Sequence, residues 1–316
     1  MEMVNPWIFL TAWALDRILG DPVRWMHPVQ VMGWLIGRWR DWSFKYFKDA
    51  PILLRLSGVV LTLLLTLGSA AVVWAVILGA GLIHPLFGWG TEVVILASGL
   101  AGRSLQDAAW AVLKPLKAGN LSQARETLAI YVGRDTENLD SSEVLRAVVE
   151  TVAENTTDGV LAPLFWAVMG GAPLVMAFKA ASTLDSMIGY RRGLYEPFGW
   201  AGARLDDVLN WVPARLMALS VGIISGKLGT ILRIVQRDAA QDPSPNAGVS
   251  IAAFAAALGV RLGGENSYRG EKKIKPFLGD ALYPLTQETA EQTLKLLNRL
   301  QVLWLVIGFV LLKWLW

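Results

Sequence analysis

The chain has 316 residues, of which 54% are hydrophobic and only 17% charged, with a net charge of +3. A soluble globule carries nearer a quarter charged residues, so the composition reads as a single membrane-embedded unit, residues 1–316, with polar loops. The small net charge excludes a nucleic-acid surface. The absence of Cys excludes disulfides and thiolate chemistry, and two His exclude a His-rich metal centre.

In chain order, Met3 to Leu15 is an apolar run interrupted by Asp16 and Arg17, with no small-residue cleavage pattern after it. It is expected to be a retained membrane segment, broken at Gly20-Asp21-Pro22 and His27-Pro28. Arg38, Arg40, Lys45, Lys48 and Arg55, interleaved with Trp and Tyr, are expected to form a loop at the membrane edge, in contact with lipid headgroups. Leu56 to Thr91 carries no charged residue, which is enough for one span and the start of a second; Gly88-Trp89-Gly90 offers the break. Residues 103–158 are polar with a helical pattern, and Lys114-Pro115 and Ala118-Gly119-Asn120 mark turns. Gly159 to Phe178 is long enough to span. Pro163, Gly170, Gly171 and Pro173 make a broken or re-entrant pair of half-helices an equal expectation. Val208 to Gly226 is apolar apart from Asn210 and Arg215, with a kink expected at Pro213. Asp242 to Gly248 is a loop, and an Ala-rich helix follows to Val260. Residues 261–299 are a second polar helical loop region with Lys272, Lys273 and Lys275 exposed. Leu300 to Trp316 is the last anchor. The fold class is therefore all-α: a polytopic helical membrane protein with about four to six spans.

Polar residues beside membrane-length apolar segments cost free energy unless they do something, so they are the candidate site. If Asp140 to Asp158 is one helix, capped by Ser141 or Ser142, then Glu143, Arg146, Glu150, Glu154 and Asp158 share a face. The like-charge pairs Glu150–Glu154 and Glu154–Asp158 suggest a hard cation such as Mg²⁺, against the alternative of a solvated acidic face. Asp185, among Leu184, Met187 and Ile188, reads as a metal or phosphate residue, or as the partner of Lys179 or Arg191. Arg204, Asp206, Asp207 and Asn210 precede an apolar helix, with Asp206 a possible N-cap; Asn210 and Arg215 lie beside or within the membrane region. Arg134 with Asp135, Arg191-Arg192 and Arg237-Asp238 offer guanidinium groups for phosphate or carboxylate. His27 is expected to be a turn residue. No P-loop, GxSxG, HExxH or dinucleotide fingerprint is present.

Several longer motifs occur in order: Val132-Gly133-Arg134-Asp135-Thr136; Val149 to Asn155 (VETVAEN), continuing through Asp158-Gly159 to Phe165; Thr183 to Met187 (TLDSM); Ala203 to Asp207 (ARLDD) with Asn210 and Pro213 to Leu216; and Ser244 to Gly248 (SPNAG). By these residues the chain resembles the adenosylcobinamide-phosphate synthase family of cobalamin biosynthesis, also called CbiB or CobD. Ser182 stands where the family pattern is expected to have Asn, and Val249-Ser250-Ile251 where it is expected to have Trp-Pro-Glu. The resemblance implies an inner-membrane ligase that uses ATP and Mg²⁺, with its site on the cytoplasmic side. The reaction joins the propionate of adenosylcobyric acid, a corrinoid, to aminopropanol or its phosphate, and other membrane enzymes of the pathway are conceivable partners. Glu150, Glu154, Asn155, Asp158, Asp185, Asp206, Asp207 and Asn210 are then the catalytic candidates. Glu150, Glu154, Asp158 and Asp185 are the metal candidates. Arg134, Asp135, Lys179, Arg204, Arg215 and Asn246 are the candidates for substrate or phosphate. A non-catalytic membrane sensor and a transporter using Asn210 and Arg215 are the alternatives.

Overall fold

The computed structural model describes residues 4–20 and 27–315. The expected turn at Asp21-Pro22 lies outside the described residues. The elements are α1 (Pro6–Leu19), α2 (Pro28–Phe47), α3 (Pro51–Ile83), α4 (Pro85–Gly99), α5 (Gly102–Lys117), α6 (Leu121–Tyr131), α7 (Ser141–Asn155), a π-helical turn (Thr156–Leu161), α8 (Ala162–Ile188), α9 (Tyr195–Ser225), α10 (Leu228–Asp238), α11 (Ala247–Leu258), the strands β1 (Leu262–Tyr268) and β2 (Glu271–Leu278), and α12 (Gln287–Leu315). Among the described residues five helical stretches are long and apolar enough to cross a membrane: Pro51–Ile83, Pro85–Lys117, Ser141–Ile188, Tyr195–Ser225 and Gln287–Leu315. The protein is a multi-pass helical membrane protein, as its composition demanded.

Two compact units divide the chain. One comprises residues 1–101, 162–210 and 305–316, the other residues 102–161 and 211–304.

In the first unit, proline sets the helix starts. Pro6, Pro28, Pro51 and Pro85 each stand in the first turn, where the missing N–H costs nothing. His27 caps α2: its Nδ1 accepts from the N–H of Val29 while Gln30 Oε1 accepts from its own N–H. The basic stretch expected as a loop is therefore helical through Arg38, Arg40 and Lys45. It has no helix breaker after Gly37, and Met32, Ile36 and Ser43 supply a buried stripe that interfacial composition concealed. Along α3, Leu63, Leu64, Leu67 and Val72 are exposed, as lipid-facing side chains must be. Thr62 and Thr66 return their hydroxyls to the carbonyls of Gly58 and Thr62.

The helix that could have been continuous or broken is broken. Gly170 (φ −174°, ψ 27°) and Gly171 (φ 67°, ψ −159°) leave helical geometry inside α8, and Pro173 follows. Glu92 of α4 accepts the N–H of Ala172 and so satisfies a donor that the break frees.

The second unit corrects the sequence reading in one place. Residues 262–278, expected as a helical loop, form an antiparallel hairpin. Tyr268 pairs with Glu271, and the two residues between them, Arg269 (φ 55°) and Gly270 (φ 79°), both adopt positive φ, as a type I′ turn requires. The six charged side chains of the stretch, mostly solvent-facing, hid the alternation in which Asn266 points inward beside exposed Glu265. The register slips between Leu262 and Gly264. Gly263 stands there with φ 87°, where a Cβ would lie 2.0 Å from the carbonyl oxygen of Pro276. The polar residues after 286 open α12 and run without interruption into the C-terminal anchor.

Candidate functional site

The acidic stripe begins at the N-terminus of α7. Asp140, rather than Ser141 or Ser142, is the cap: its Oδ1 accepts from the N–H of Glu143 at 2.8 Å. Ser141 is already the first helical residue. Arg146, one turn on, is buried and directs its guanidinium to five residues at once. It bonds Glu143, reaches Glu150 Oε1 at 3.0 Å, and donates to the carbonyls of Gly263 (2.7 Å) and Glu265 (2.8 Å) and to Asn266 Oδ1 (3.1 Å).

Glu150 is 4% exposed and receives three donors. Arg134 Nη2 meets Oε2 at 2.5 Å, while Arg146 and the N–H of Gly263 (2.7 Å) meet Oε1. The glycine bulge in the hairpin is what turns both backbone groups of Gly263 toward α7. Arg134 completes the ring by donating to Asn266 Oδ1 at 2.7 Å.

This differs from the expected stripe of three carboxylates around a cation. Glu150 is neutralised by two guanidiniums, and such donors occupy the lone pairs a metal would need. Asp158 sits in the π-helical turn after α7 has ended, so the four-residue step from Glu154 is lost. The Glu154 side chain is half-buried, has no hydrogen bond among the described residues, and lies within electrostatic reach of Lys275 and Arg134. Asn155 is exposed and bonds the carbonyl of Thr151. Among the described residues no three Asp, Glu or His side chains converge as a metal-holding group.

Asp135 fastens the loop before α7 to the hairpin. Its carboxylate accepts from Ser267 Oγ (2.5 Å) and from the N–H groups of Arg269 and Gly270 (2.8 Å each). The Ser267 hydroxyl and then the turn amides hold its carboxyl below the usual aspartate range. At the other end of the hairpin, Asp238 accepts from Gly279 N–H and from Arg237, which also bonds Asp280. The Arg237 guanidinium holds the Asp238 carboxyl low. Arg237-Asp238, read from sequence as a weak anion site, is thus a clasp. Arg215 and Asn246 are brought together, with Nη1 to Oδ1 at 2.7 Å, and Arg215 also lies over the Trp211 ring.

Beside the Arg146 network opens a cavity of about 830 Å³, between the loop 135–140, the start of α7 and the hairpin. Of the sequence-predicted site residues only Asp135 lines it. Glu137, Asn138, Arg261 and Asn266 line it too and were missed. Their signal, a hairpin with glycines at 263, 264 and 270, was buried in a charge-rich segment.

The other candidates belong to the first unit, on α8 and α9. Gly199 and Gly202 let α9 approach α8 at backbone distance: a Cβ on Gly199 would meet the carbonyl oxygen of Ile188 at 1.8 Å, and one on Gly202 the Cβ of Leu184 at 2.9 Å. That approach brings Asp185 within electrostatic reach of Asp207 and Arg191. Arg204 is 3.7 Å from Asp207. Asp206 lies inside α9, which begins eleven residues earlier at Tyr195, so it is not a helix cap. It accepts from Asn210 Nδ2 at 3.1 Å; Asn210 is 1% exposed. Lys179, one turn before Thr183 on α8, is half-buried. Val249, Ser250 and Ile251, at the departure from the expected motif, are buried in α11, with Ser250 bonded to Thr157 at 2.7 Å.

The family model described as CobD/Cbib protein matches residues 9–297. The chain is 46% identical over 287 residues to "Cobalamin biosynthesis protein CobD" of Synechocystis sp., covering 89% of this chain and 84% of the relative. It is 44% identical over 290 residues to "Cobalamin biosynthesis protein CbiB" of Salmonella typhimurium, covering 90% and 91%. To "Cobalamin biosynthesis protein CobD" of Citrobacter koseri it is 45% identical over 290 residues, again covering 90% and 91%. No solved structure matches the chain.

Proposed function

The chain belongs to the CobD/CbiB family and has a role in cobalamin biosynthesis; from that premise we propose that it is an amide-forming ligase of the cell membrane. It joins the propionate of adenosylcobyric acid to aminopropanol or its phosphate, with its active side in the cytoplasm. The observation that carries this reading is identity of 44–46% across about nine-tenths of the chain with proteins named for that pathway.

Forming an amide from a carboxylate requires that an oxygen leave, and ATP with Mg²⁺ supplies the activating phosphoryl group and screens its charge. The donor chemistry of the α8–α9 cluster fits such an ion. Mg²⁺ is commonly held by one or two carboxylates, the rest of its shell being water and phosphate oxygens. Asp185 and Asp207 would be those carboxylates, with Arg191 and Arg204 orienting phosphate and Lys179 on the same helix. Asp206 and Asn210 position that wall of α9. In the second unit, Glu154 is the candidate for taking the proton from the attacking ammonium, with Asn155 and Asp158 close by in sequence. Asn246, held by Arg215, is a candidate to orient an amide or carboxylate. Glu150, Arg134 and Asp135 act as framework.

The test is reconstitution. Purified protein in nanodiscs with adenosylcobyric acid, ATP, Mg²⁺ and aminopropanol phosphate is expected to yield the amide, followed by mass, at a rate that depends on both ATP and Mg²⁺. No amide product under these conditions overturns the reading, and ATP-independent uptake of a corrinoid into vesicles would replace it with transport.

A further inference from the structure

Asn266 is 3% exposed and stands between two guanidiniums. Its Oδ1 accepts from Arg134 Nη1 and Arg146 Nη2. Guanidinium nitrogens only donate, so the amide has one permitted orientation, with Nδ2 turned away from both arginines. That Nδ2 is buried and has no hydrogen-bond partner among the described residues. A buried donor without a partner is costly, and one that borders a cavity is available to a group bound there.

Asn266 lines the 830 Å³ cavity, a size typical of small-molecule sites. The walls carry five carboxylates (Asp135, Glu137, Asp140, Glu143, Glu265) and three cations (Arg146, Arg261, Lys272), a formal charge of 3 − 5 = −2. Two of those cations are already engaged, Arg146 by its network and Lys272 by Glu265 at 2.7 Å. Four of the carboxylates, Asp135, Asp140, Glu143 and Glu265, also hold a partner, but a carboxylate has lone pairs for more than one donor. A triphosphate is poorly served by such walls. A neutral ligand rich in carboxamides is well served: its C=O accepts from Asn266 and its N–H groups donate to the carboxylates.

We propose that this cavity is the corrinoid-binding site and that Asn266 Nδ2 donates to a peripheral carboxamide carbonyl of the corrin. The inference rests on the ligase reading for the identity of its substrate and adds to it the place and the recognising atom.

Asn266→Asp keeps an oxygen between the two arginines, replaces the donor by a second oxygen and adds one negative charge that the two guanidiniums face. Asn138→Trp, at an exposed lining position, narrows the cavity mouth without touching the network. Full-length wild-type and variant proteins in nanodiscs are titrated with cobyric acid, followed by corrin absorbance, and separately with MgATP. The expected result is a rise of about tenfold in the cobyric acid Kd for Asn266→Asp, a loss of one ordinary hydrogen bond. A larger rise is expected for Asn138→Trp, with MgATP affinity unchanged in both. Unaltered cobyric acid binding in both variants overturns the proposal and leaves water as the partner of Nδ2. Weakened MgATP with intact cobyric acid binding overturns it in favour of a nucleotide. If Asn266→Asp does not fold, the Asn138→Trp titration decides alone. A wild-type protein that binds no cobyric acid sinks the ligase reading itself, a failure that the variants are not needed to see.

Discussion

The α7–hairpin network and the α8–α9 cluster are both polar groups set among apolar helices, yet they are put together in opposite ways. In the first, Glu143, Arg146, Glu150 and Arg134 alternate in sign and sum to zero, and backbone groups of Gly263 and Glu265 take up the remaining donors and acceptors. In the second, Asp185 has another carboxylate, Asp207, within reach, and the ion pair of Asp207 with Arg204 is long at 3.7 Å. A buried network whose charges are matched holds a shape, whereas carboxylates gathered near one another can accept a cation and exchange it. Density of acidic residues in sequence does not distinguish the two. The positions of the arginines do.

The largest expected effect breaks the first cluster. Glu150→Ala leaves two buried guanidiniums without their carboxylate and should cost about 3–5 kcal/mol, seen as a large drop in the detergent melting temperature with or without ligands. A melting temperature close to wild type would mean that the network is not structural. The second prediction separates the clusters. Asp185→Asn and Asp207→Asn should each lower the ligation rate by on the order of 100-fold and raise the Mg²⁺ needed for half-maximal rate, with little change in melting. Equal Mg²⁺ dependence in wild type and variants would remove these residues from the metal.

A third prediction tests the bulge that connects α7 to the hairpin. Gly263→Ala places a Cβ against Pro276 at a positive φ, and should cost roughly 1–3 kcal/mol, with faster proteolysis confined to residues 262–278. The smallest effect concerns pH. Asp135 has its carboxyl held low by Ser267 and the turn amides, so its contribution is complete above the ordinary aspartate value of about 3.9. It disappears as pH falls through the lower folded value. Protection of the hairpin amides, measured against the intrinsic exchange rate at each pH, should therefore fall on acidification, and Asp135→Asn should show that lower protection already at neutral pH. A hairpin whose exchange follows the same pH course in both proteins would deny Asp135 this role.

How much was legible beforehand follows from what each feature depends on. Uncharged runs of membrane length mark spans whatever their neighbours do, so α3 and the C-terminal half of α12 could be read directly. Gly170-Gly171 with Pro173 made a break as good an expectation as a continuous span, because glycine and proline act on their own backbone. The cavity was not legible. Its walls depend on a hairpin whose alternation is masked by charges on the solvent face, and on Asn266 meeting Arg134 across 132 residues of chain. The candidate residues follow from their residue types; which of them share a hydrogen-bonded network, as Glu150 and Arg134 do, and which lie near one another on α8 and α9, as Asp185 and Asp207 do, depends on contacts between distant parts of the chain.

By itself, then, the sequence determined the helical membrane architecture and the family, because hydropathy and ordered motifs act locally or survive as patterns. Only the tertiary structure decided which carboxylates are neutralised and which donor is left over. Both depend on arginines and a glycine bulge that arrive from distant parts of the chain, and the energy of a buried charge is set by its partner in space rather than by its neighbours in sequence.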